Sequence, residues 1–306
     1  YVWTDTSLFT MRFVGQPFTF AYEQVGTNCG LIGMNAAAEV DGAAYWMSEN
    51  GFFRFTGKLE SMDCLVEDYV YNDLNTTSNQ LIYCGINNLF GEVMWFYPTS
   101  TSNIVDRSVV YSYLDSTPQR PIWYTNASTI LRRTTWQDSS VFGLPHATEY
   151  DADTDTSFDV TGNTDGISYY FEHETGVNYI KNATTYAVPA NITSGDYDIT
   201  QKIIRGAATS LADLRGDGEN IMRVSRIIPD YITQQGTTII QLDLRDYPND
   251  SSASSSLGPF STTSSTTKID TRARARAIAL TLSCTAIDSN WKLGTFRLDI
   301  HAGGRR

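Results

Sequence analysis

The residues with the clearest capacity for chemistry are three aspartates at alternate positions, Asp151, Asp153 and Asp155. Carboxylate oxygens are the ligands that Ca²⁺ prefers, and alternate positions at the start of a loop can direct them onto one ion. An EF-hand loop also needs glycine at its sixth position and glutamate at its twelfth, where this chain has Thr156 and Gly162. The pattern favours a solvated acidic loop, with a bound calcium ion as the alternative.

Sequence motifs for catalysis are missing from the chain. The histidines His146, His173 and His301 lie in unrelated contexts, without a nucleophile or second histidine at a productive offset. Glu172 and Glu174 have the residue types of a glycosidase acid and nucleophile, but such a pair acts only at a defined separation in space. We therefore predict that the protein is not an enzyme and needs no cofactor.

A row of arginines near the C-terminus is the strongest candidate for an interface. Arg272, Arg274 and Arg276 alternate with alanines, and an uninterrupted strand places them on one face with three core residues, Ile278, Leu280 and Leu282. The same alternation directs Arg297 outward from a later strand. Such arginines can bind phosphate or an acidic partner surface. The alternative is local pairing with acidic side chains on adjacent strands.

The elements that position these residues are predicted to be short hairpins. In residues 41–57, two aromatic runs, 43–47 and 52–55, flank the turn signal Asn50-Gly51. A second run of this kind, residues 1–15, carries Trp3 ahead of an aromatic pair. One hairpin cannot bury its own apolar face, so we expect successive copies to pack on one another.

Tryptophan spacing favours β-propeller-like blades over the alternative, a β-sandwich. The spacings between Trp3, Trp46, Trp95 and Trp136 are 43, 49 and 41 residues, close to the length of a four-stranded blade. The predicted core residues are Trp3, Trp46, Phe53, Trp95, Trp136 and Trp291.

Composition and charge predict an all-β protein with two modules. The 306 residues are rich in Tyr, Phe, Thr and Ser, which favours strands and turns. Residues 1–200 hold 24 acidic and 8 basic side chains, whereas residues 201–306 hold 10 acidic and 14 basic ones. We expect propeller-like blades in residues 1–187 and a β-sandwich closing module in residues 188–306. Because the chain opens inside a strand pattern without a methionine, we expect it to be part of a longer protein.

The acidic balance bears on possible partners. A formal charge of −12 repels nucleic acid. No run approaches the roughly 18 apolar residues of a membrane span, so we expect no membrane segment.

Seven runs of the chain carry a likeness to one known family, and they are residues 28–33, 40–53, 92–98, 109–111, 291–294, 297–300 and 304–306. Together they resemble the tail nozzle proteins of short-tailed bacteriophages, also called tail tubular protein B or packaged-DNA stabilisation proteins. The resemblance implies a propeller-bearing virion subunit that is assembled in the bacterial cytoplasm into a homo-hexameric ring. It also implies portal and adaptor rings and tail fibres or spikes as partners. DNA is then expected to pass through the lumen without specific binding, and the family supplies no catalytic residues.

A different functional class remains open from the residues alone. Surface tryptophans and tyrosines near carboxylates would also suit a glycan-binding or glycan-cleaving β-propeller.

Overall fold

The computed structural model describes residues 1–126, 132–151, 166–199, 220–247 and 252–304. These residues are predominantly antiparallel β-sheet, with one short α-helix, α1 (Glu67–Tyr71), and one 3-10 helix (Thr76–Leu81). The chain forms two compact units, Tyr1–Thr175 and Gly176–Arg306. The all-β prediction is confirmed.

The described part of the first unit contains four small sheets, each a meander whose strands pair in chain order. The first sheet is β1 (Val2–Trp3), β2 (Ser7–Phe13) and β3 (Phe20–Thr27), and the second is β4 (Ala37–Val40), β5 (Ala43–Ser48), β6 (Gly51–Phe55) and β7 (Leu59–Met62). The third sheet is β8 (Tyr83–Asn87), β9 (Glu92–Tyr97), β10 (Arg107–Ser112) and β11 (Trp123–Asn126). The fourth sheet is β12 (Thr135–Gln137), β13 (His146–Asp151) and β14 (Ile167–Glu172).

The hairpin predicted in residues 41–57 is confirmed as β5 and β6. Met47 pairs with Phe52 across the turn, and Gly51 has a φ of 123°, a conformation that side chains with a Cβ disfavour. All six residues of β5 are buried. A strand buried on both faces needs apolar neighbours on both sides, so this hairpin lies between two other sheets.

Alternate residues of the inner sheets enter different hydrophobic cores. In the second sheet, Trp46 packs with Leu8 of the first sheet, while Tyr45 belongs to a core that includes Trp95 of the third sheet. In the third sheet, Phe96 packs with Trp136 of the fourth. Consecutive sheets of the first unit therefore stack face to face in chain order.

Indole hydrogen bonds link the second, third and fourth sheets of the first unit to a preceding segment. Nε1 of Trp46 donates to the Cys29 carbonyl oxygen at 2.8 Å, and Nε1 of Trp95 donates to the Ala36 carbonyl oxygen at 3.0 Å. Nε1 of Trp136 donates to the Ile86 carbonyl oxygen at 2.8 Å. The equivalent buried nitrogen of Trp3 has no acceptor among the described residues.

The second unit contains eleven strands among its described residues. They are β15 (Asn178–Lys181), β16 (Thr184–Ala187), β17 (Ala190–Thr193), β18 (Met222–Ile228), β19 (Tyr231–Gln235), β20 (Thr238–Arg245), β21 (Ser255–Thr262), β22 (Ile269–Ala275), β23 (Ala277–Cys284), β24 (Asn290–Leu293) and β25 (Arg297–Ala302). The two larger sheets have the orders β17-β23-β20-β21 and β22-β18-β25, and the pairs β15-β16 and β19-β24 form two-stranded sheets. Both larger sheets contribute to one core, which includes Val224, Ile240, Ala273 and Leu282.

The division between the units lies after Thr175, whereas the boundary predicted from the sequence lies after residue 187. The intervening hairpin β15-β16 belongs to the second unit. Asn178 Nδ2 donates to Asp288 Oδ1, and the Asp288 backbone N–H donates to Asn178 Oδ1 at 2.8 Å. These two bonds attach the hairpin to the loop before β24.

The sequence predicts that the arginine row lies on one core-facing strand, and this prediction is wrong. The strand ends at Ala275, and a new strand in the other large sheet begins at Ala277. The buried positions shift by one residue at this crossing: Ala273 and Ala275 are buried before it and Ile278 after it. A shift of one residue reverses the faces of a strand. Arg272 and Arg274 are therefore exposed on the outer face.

The predicted core residues differ in burial. Trp46, Trp95 and Trp136 are buried, whereas Trp3, Phe53 and Trp291 are half-buried and pack against the cores of their own units.

Candidate interaction surface

The described residues contain no group of three or more His, Cys, Asp or Glu side chains placed to hold a metal ion. Asp151 ends β13, but Asp153 and Asp155 lie outside the described residues. The calcium hypothesis for this loop is therefore still a prediction from sequence.

A buried polar cluster in the fourth sheet contains one of the three histidines. Arg133 and Glu149 are 3% and 1% exposed, and Arg133 Nη1 lies 2.5 Å from Glu149 Oε2. Arg133 Nε donates to His173 Nε2 at 2.7 Å, and its guanidinium lies 4.3 Å from the ring centroid of Phe171. Burial, then the charge of Arg133, lowers the pKa of His173 to about 3.

The neutral form of His173 suits this position. A nitrogen that accepts a hydrogen bond from arginine cannot carry a proton of its own. Trp136 covers the imidazole, with 4.5 Å between the ring centroids. We interpret this cluster as a support for the fourth sheet, because its charged atoms are enclosed.

The outer face of the sheet β22-β18-β25 carries a cationic surface that we call the basic groove, formed by Arg223, Arg272, Arg274 and His301. Arg223 is paired across the sheet with Arg274 on one side and with His301 on the other. Arg272 lies two residues from Arg274 on the same strand and faces the same way. The four side chains line an open groove of about 490 Å³.

Small residues make the groove concave. Ala302 and Gly303 lie beside the arginines at the end of β25. The Gly303 N–H donates to the Ile221 carbonyl oxygen at 2.6 Å, and the Ile221 N–H donates to the Gly304 carbonyl oxygen at 3.1 Å. A Cβ at Gly303 would lie 3.0 Å from the Ile221 oxygen, so glycine permits this close approach.

Charges at the other end of the same face are paired. Arg226 Nε donates to Asp270 Oδ1 at 2.8 Å, and Arg226 Nη1 lies 3.5 Å from Asp299 Oδ2. Lys268 Nζ lies 3.1 Å from Asp270 Oδ2. Arg226 therefore has acidic partners on both neighbouring strands. No described acidic side chain forms an ion pair with the four residues of the basic groove, so the local pairing considered for the arginine row is not found at Arg272 or Arg274.

The four arginines proposed from sequence have different positions. Arg272 and Arg274 line the basic groove, Arg276 lies at the crossing between the two sheets, and Arg297 is exposed at the far end of β25 opposite Ile228. Sequence reasoning missed Arg223 and His301 as members of the site. Alternation of buried Met222 and Val224 around Arg223 is a signal that was present in the sequence.

An exposed apolar surface on the hairpin β2-β3 was also missed. Phe13 pairs with Phe20 and Met11 with Tyr22. These four side chains and Phe18 are between 45% and 75% exposed. Exposed apolar surface of this kind is typical of contact sites.

Two carboxyl groups of the first unit have raised pKa values. Burial raises the pKa of Glu92, whose carboxylate accepts a hydrogen bond from the Tyr124 hydroxyl. Burial, followed by the charge of Glu92 among other causes, raises the pKa of Glu174, which accepts a hydrogen bond from Asn87 Nδ2 at 2.9 Å. A carboxyl group with a raised pKa is a residue type that glycosidases use as the general acid.

Comparison with known proteins gives no family assignment, since neither a protein-family model nor a curated protein sequence matches this chain. No α-helix among the described residues is long and apolar enough to cross a membrane.

Proposed function

We propose that this chain is a structural subunit of a bacteriophage tail nozzle, in which six copies form a ring around the channel that retains and then conducts the genome. The observation that carries the proposal is the series of stacked sheets in a strongly acidic unit. Each of the four sheets has a tryptophan at its junction, and the unit holds 22 acidic and 7 basic side chains. The resemblance in sequence is the source of the virion context.

Stacking in chain order supports propeller-like blades. A propeller repeats small antiparallel meanders, each packed face to face on the next. The cores shared by consecutive sheets and the indole bonds of Trp46, Trp95 and Trp136 have this pattern. The shared core of the two larger sheets in the second unit likewise supports a sandwich-like module.

An acidic wall suits a conduit for DNA. Tight binding of DNA comes from Lys and Arg contacts that release the counterions of the phosphates. A wall with an excess of carboxylates cannot make such contacts, so a polyanion can move past it. In the ring we propose, identical subunits contact each other through heterologous interfaces that close by rotation.

Partners follow from the same proposal. The portal and adaptor rings would hold one end of the nozzle, and tail fibres or spikes would attach around it. The exposed apolar hairpin β2-β3 is a surface that such assembly can cover, because large apolar side chains at its tip are otherwise hydrated.

Electron microscopy of the purified full chain tests the proposal. We expect closed rings with sixfold symmetry and a central channel. A chain that stays monomeric at high micromolar concentration, by imaging and by sedimentation velocity, would contradict it.

The carboxyl pair Glu92 and Glu174 is the observation that favours the second candidate, a glycan-cleaving β-propeller. A raised carboxyl pKa is what a general acid needs near neutral pH. The wild-type protein would then release reducing sugar from bacterial surface polysaccharide, and the Glu92→Gln variant would not. Absence of sugar release by the wild-type protein rejects this candidate.

A further inference from the structure

We propose that the basic groove of the second unit is an intersubunit contact that binds carboxylates on the acidic first unit of another copy of this chain. This inference rests on the proposed function, since it names a contact that joins the copies of the ring. Its evidence is the arrangement of charges on one sheet face.

The arrangement within the chain is electrostatically unfavourable. Arg223 lies directly opposite Arg274 on the neighbouring strand β22. Like charges directly opposite each other on adjacent strands destabilise a sheet. On the same face, Arg226 has Asp270 and Asp299 as close partners, so the sheet tolerates arginine where acids accompany it. The groove concentrates positive charge that an external anion can neutralise.

The chemistry of the groove fits a carboxylate. A guanidinium presents paired N–H donors that match the two oxygens of a carboxylate or phosphate. Arg272 and Arg274 lie two residues apart on one strand and face outward, which separates their Cα atoms by roughly 6.5 Å. Carboxylates at alternate positions of an extended segment have the same spacing and can meet both arginines.

Charge decides between a carboxylate surface and a nucleic acid. The whole chain has a formal charge of −12, which opposes the approach of a polyphosphate. The first unit holds 22 acidic and 7 basic side chains, whereas the second holds 12 acidic and 15 basic ones. A second copy therefore supplies an abundant acidic surface that matches the groove in sign.

The test measures assembly of the full chain by sedimentation velocity over a range of protein concentrations. We expect Arg223→Gln and Arg274→Gln each to weaken the assembly constant by about tenfold or more. We also expect added salt to weaken assembly of the wild type more than that of either variant. Salt screens the attraction between the groove arginines and the carboxylates, and each variant has already lost part of that attraction.

Arg297→Gln is the matched control. It removes the same charge from an exposed position on the same sheet, away from the groove, and we expect it to assemble as the wild type does. The melting temperature of each groove variant provides the control for folding. It should not fall, because removing one arginine relieves repulsion in the row.

The outcomes separate this inference from the proposed function. If the wild type forms rings and both groove variants form them equally well, the inference is overturned and the nozzle proposal stands. If the wild type forms no rings at any concentration, both are overturned. If duplex DNA binds the wild type and Arg274→Gln abolishes that binding, the groove is a nucleic-acid site and the inference is overturned.

Discussion

At the scale of single residues, the enclosed cluster of Arg133, Glu149 and His173 requires the histidine to be neutral. His173 must be neutral to accept the hydrogen bond from Arg133, and its pKa of about 3 keeps it neutral over most of the acidic range. In the unfolded chain the same imidazole titrates near 6.5. Folding therefore excludes a proton that the unfolded chain binds between these two values.

The first prediction concerns the pH dependence of stability. The unfolded state binds the extra proton below about pH 6.5, so the contribution of His173 is fully present above that pH and is lost progressively towards pH 3. The slope is at most about 1.4 kcal/mol per pH unit. Urea unfolding measured across this range should show the decline.

His173→Gln provides the control for this prediction. Glutamine can accept from Arg133 through its amide oxygen and does not titrate, so we expect a shallower decline for the variant between pH 6.5 and pH 3. Equal slopes for the variant and the wild type would show that His173 binds its proton in the folded protein.

A second prediction concerns the ion pair of the same cluster. Glu149→Gln breaks the buried ion pair with Arg133, and breaking a buried pair typically lowers the free energy of unfolding by about 3 to 5 kcal/mol. Chemical denaturation measures this loss. Asp270→Asn, at an exposed pair, should produce no resolvable change, and a similar small effect for Glu149→Gln would contradict our interpretation.

The sequence identified some of these residues and not their partners. Arg272 and Arg274 were recognisable from alternation alone. Arg223 joins them through strand pairing with a segment about 50 residues away, and Arg133 meets His173 forty residues along the chain. Register between distant strands is set by packing in the folded core, so local pattern did not reveal these groupings.

At the scale of elements, the first unit depends on junctions between sheets. Trp46 is fully buried, stacks on Phe53 and bonds to the Cys29 carbonyl oxygen. The turn at Gly51 was predictable because Asn-Gly is a strong local signal. The stacking order was not, because a strand buried on both faces, such as β5, shows no polar alternation that marks which face meets which core.

The third prediction tests such a junction. Trp46→Phe removes the indole N–H that satisfies the buried Cys29 carbonyl and leaves space where the second ring was. We expect the free energy of unfolding to fall by about 2 to 3 kcal/mol. Denaturation followed by far-ultraviolet circular dichroism avoids the altered fluorescence of the variant.

Trp291→Phe is the comparison for Trp46→Phe. Trp291 is half-buried, and its indole forms no hydrogen bond with the described residues, so we expect a loss below about 1 kcal/mol. Similar losses for the two variants would argue against a special role of the indole bonds between sheets.

A change of sheet within the arginine row explains why the face predicted for these arginines was wrong. The alternation of Arg272, Arg274 and Arg276 continues through the sequence without a break, but the chain passes from one large sheet to the other at Arg276. No glycine or proline marks the crossing. A period of two is therefore insufficient to locate a change of sheet, and the face assigned to the arginines was reversed.

At the scale of the whole molecule, net charge determines how the protein meets a polyanion. The chain has a formal charge of −12, and the excess of acidic side chains lies in the first unit. The basic groove is a local exception. Association with long DNA depends on the field of the whole surface, so a few arginines do not offset the repulsion.

The fourth prediction is that the full chain does not retain duplex DNA even at low ionic strength. A DNA-binding protein gains affinity as salt falls, because each phosphate it neutralises releases counterions. For a subunit with an excess of 12 negative charges, lower salt instead lengthens the range of repulsion. A gel-shift series between about 50 and 200 mM salt should show free duplex throughout, beside a basic DNA-binding protein as the positive control. Micromolar binding that strengthens as salt falls would mean that the protein holds DNA, and a nozzle that lets the genome pass would no longer fit this chain.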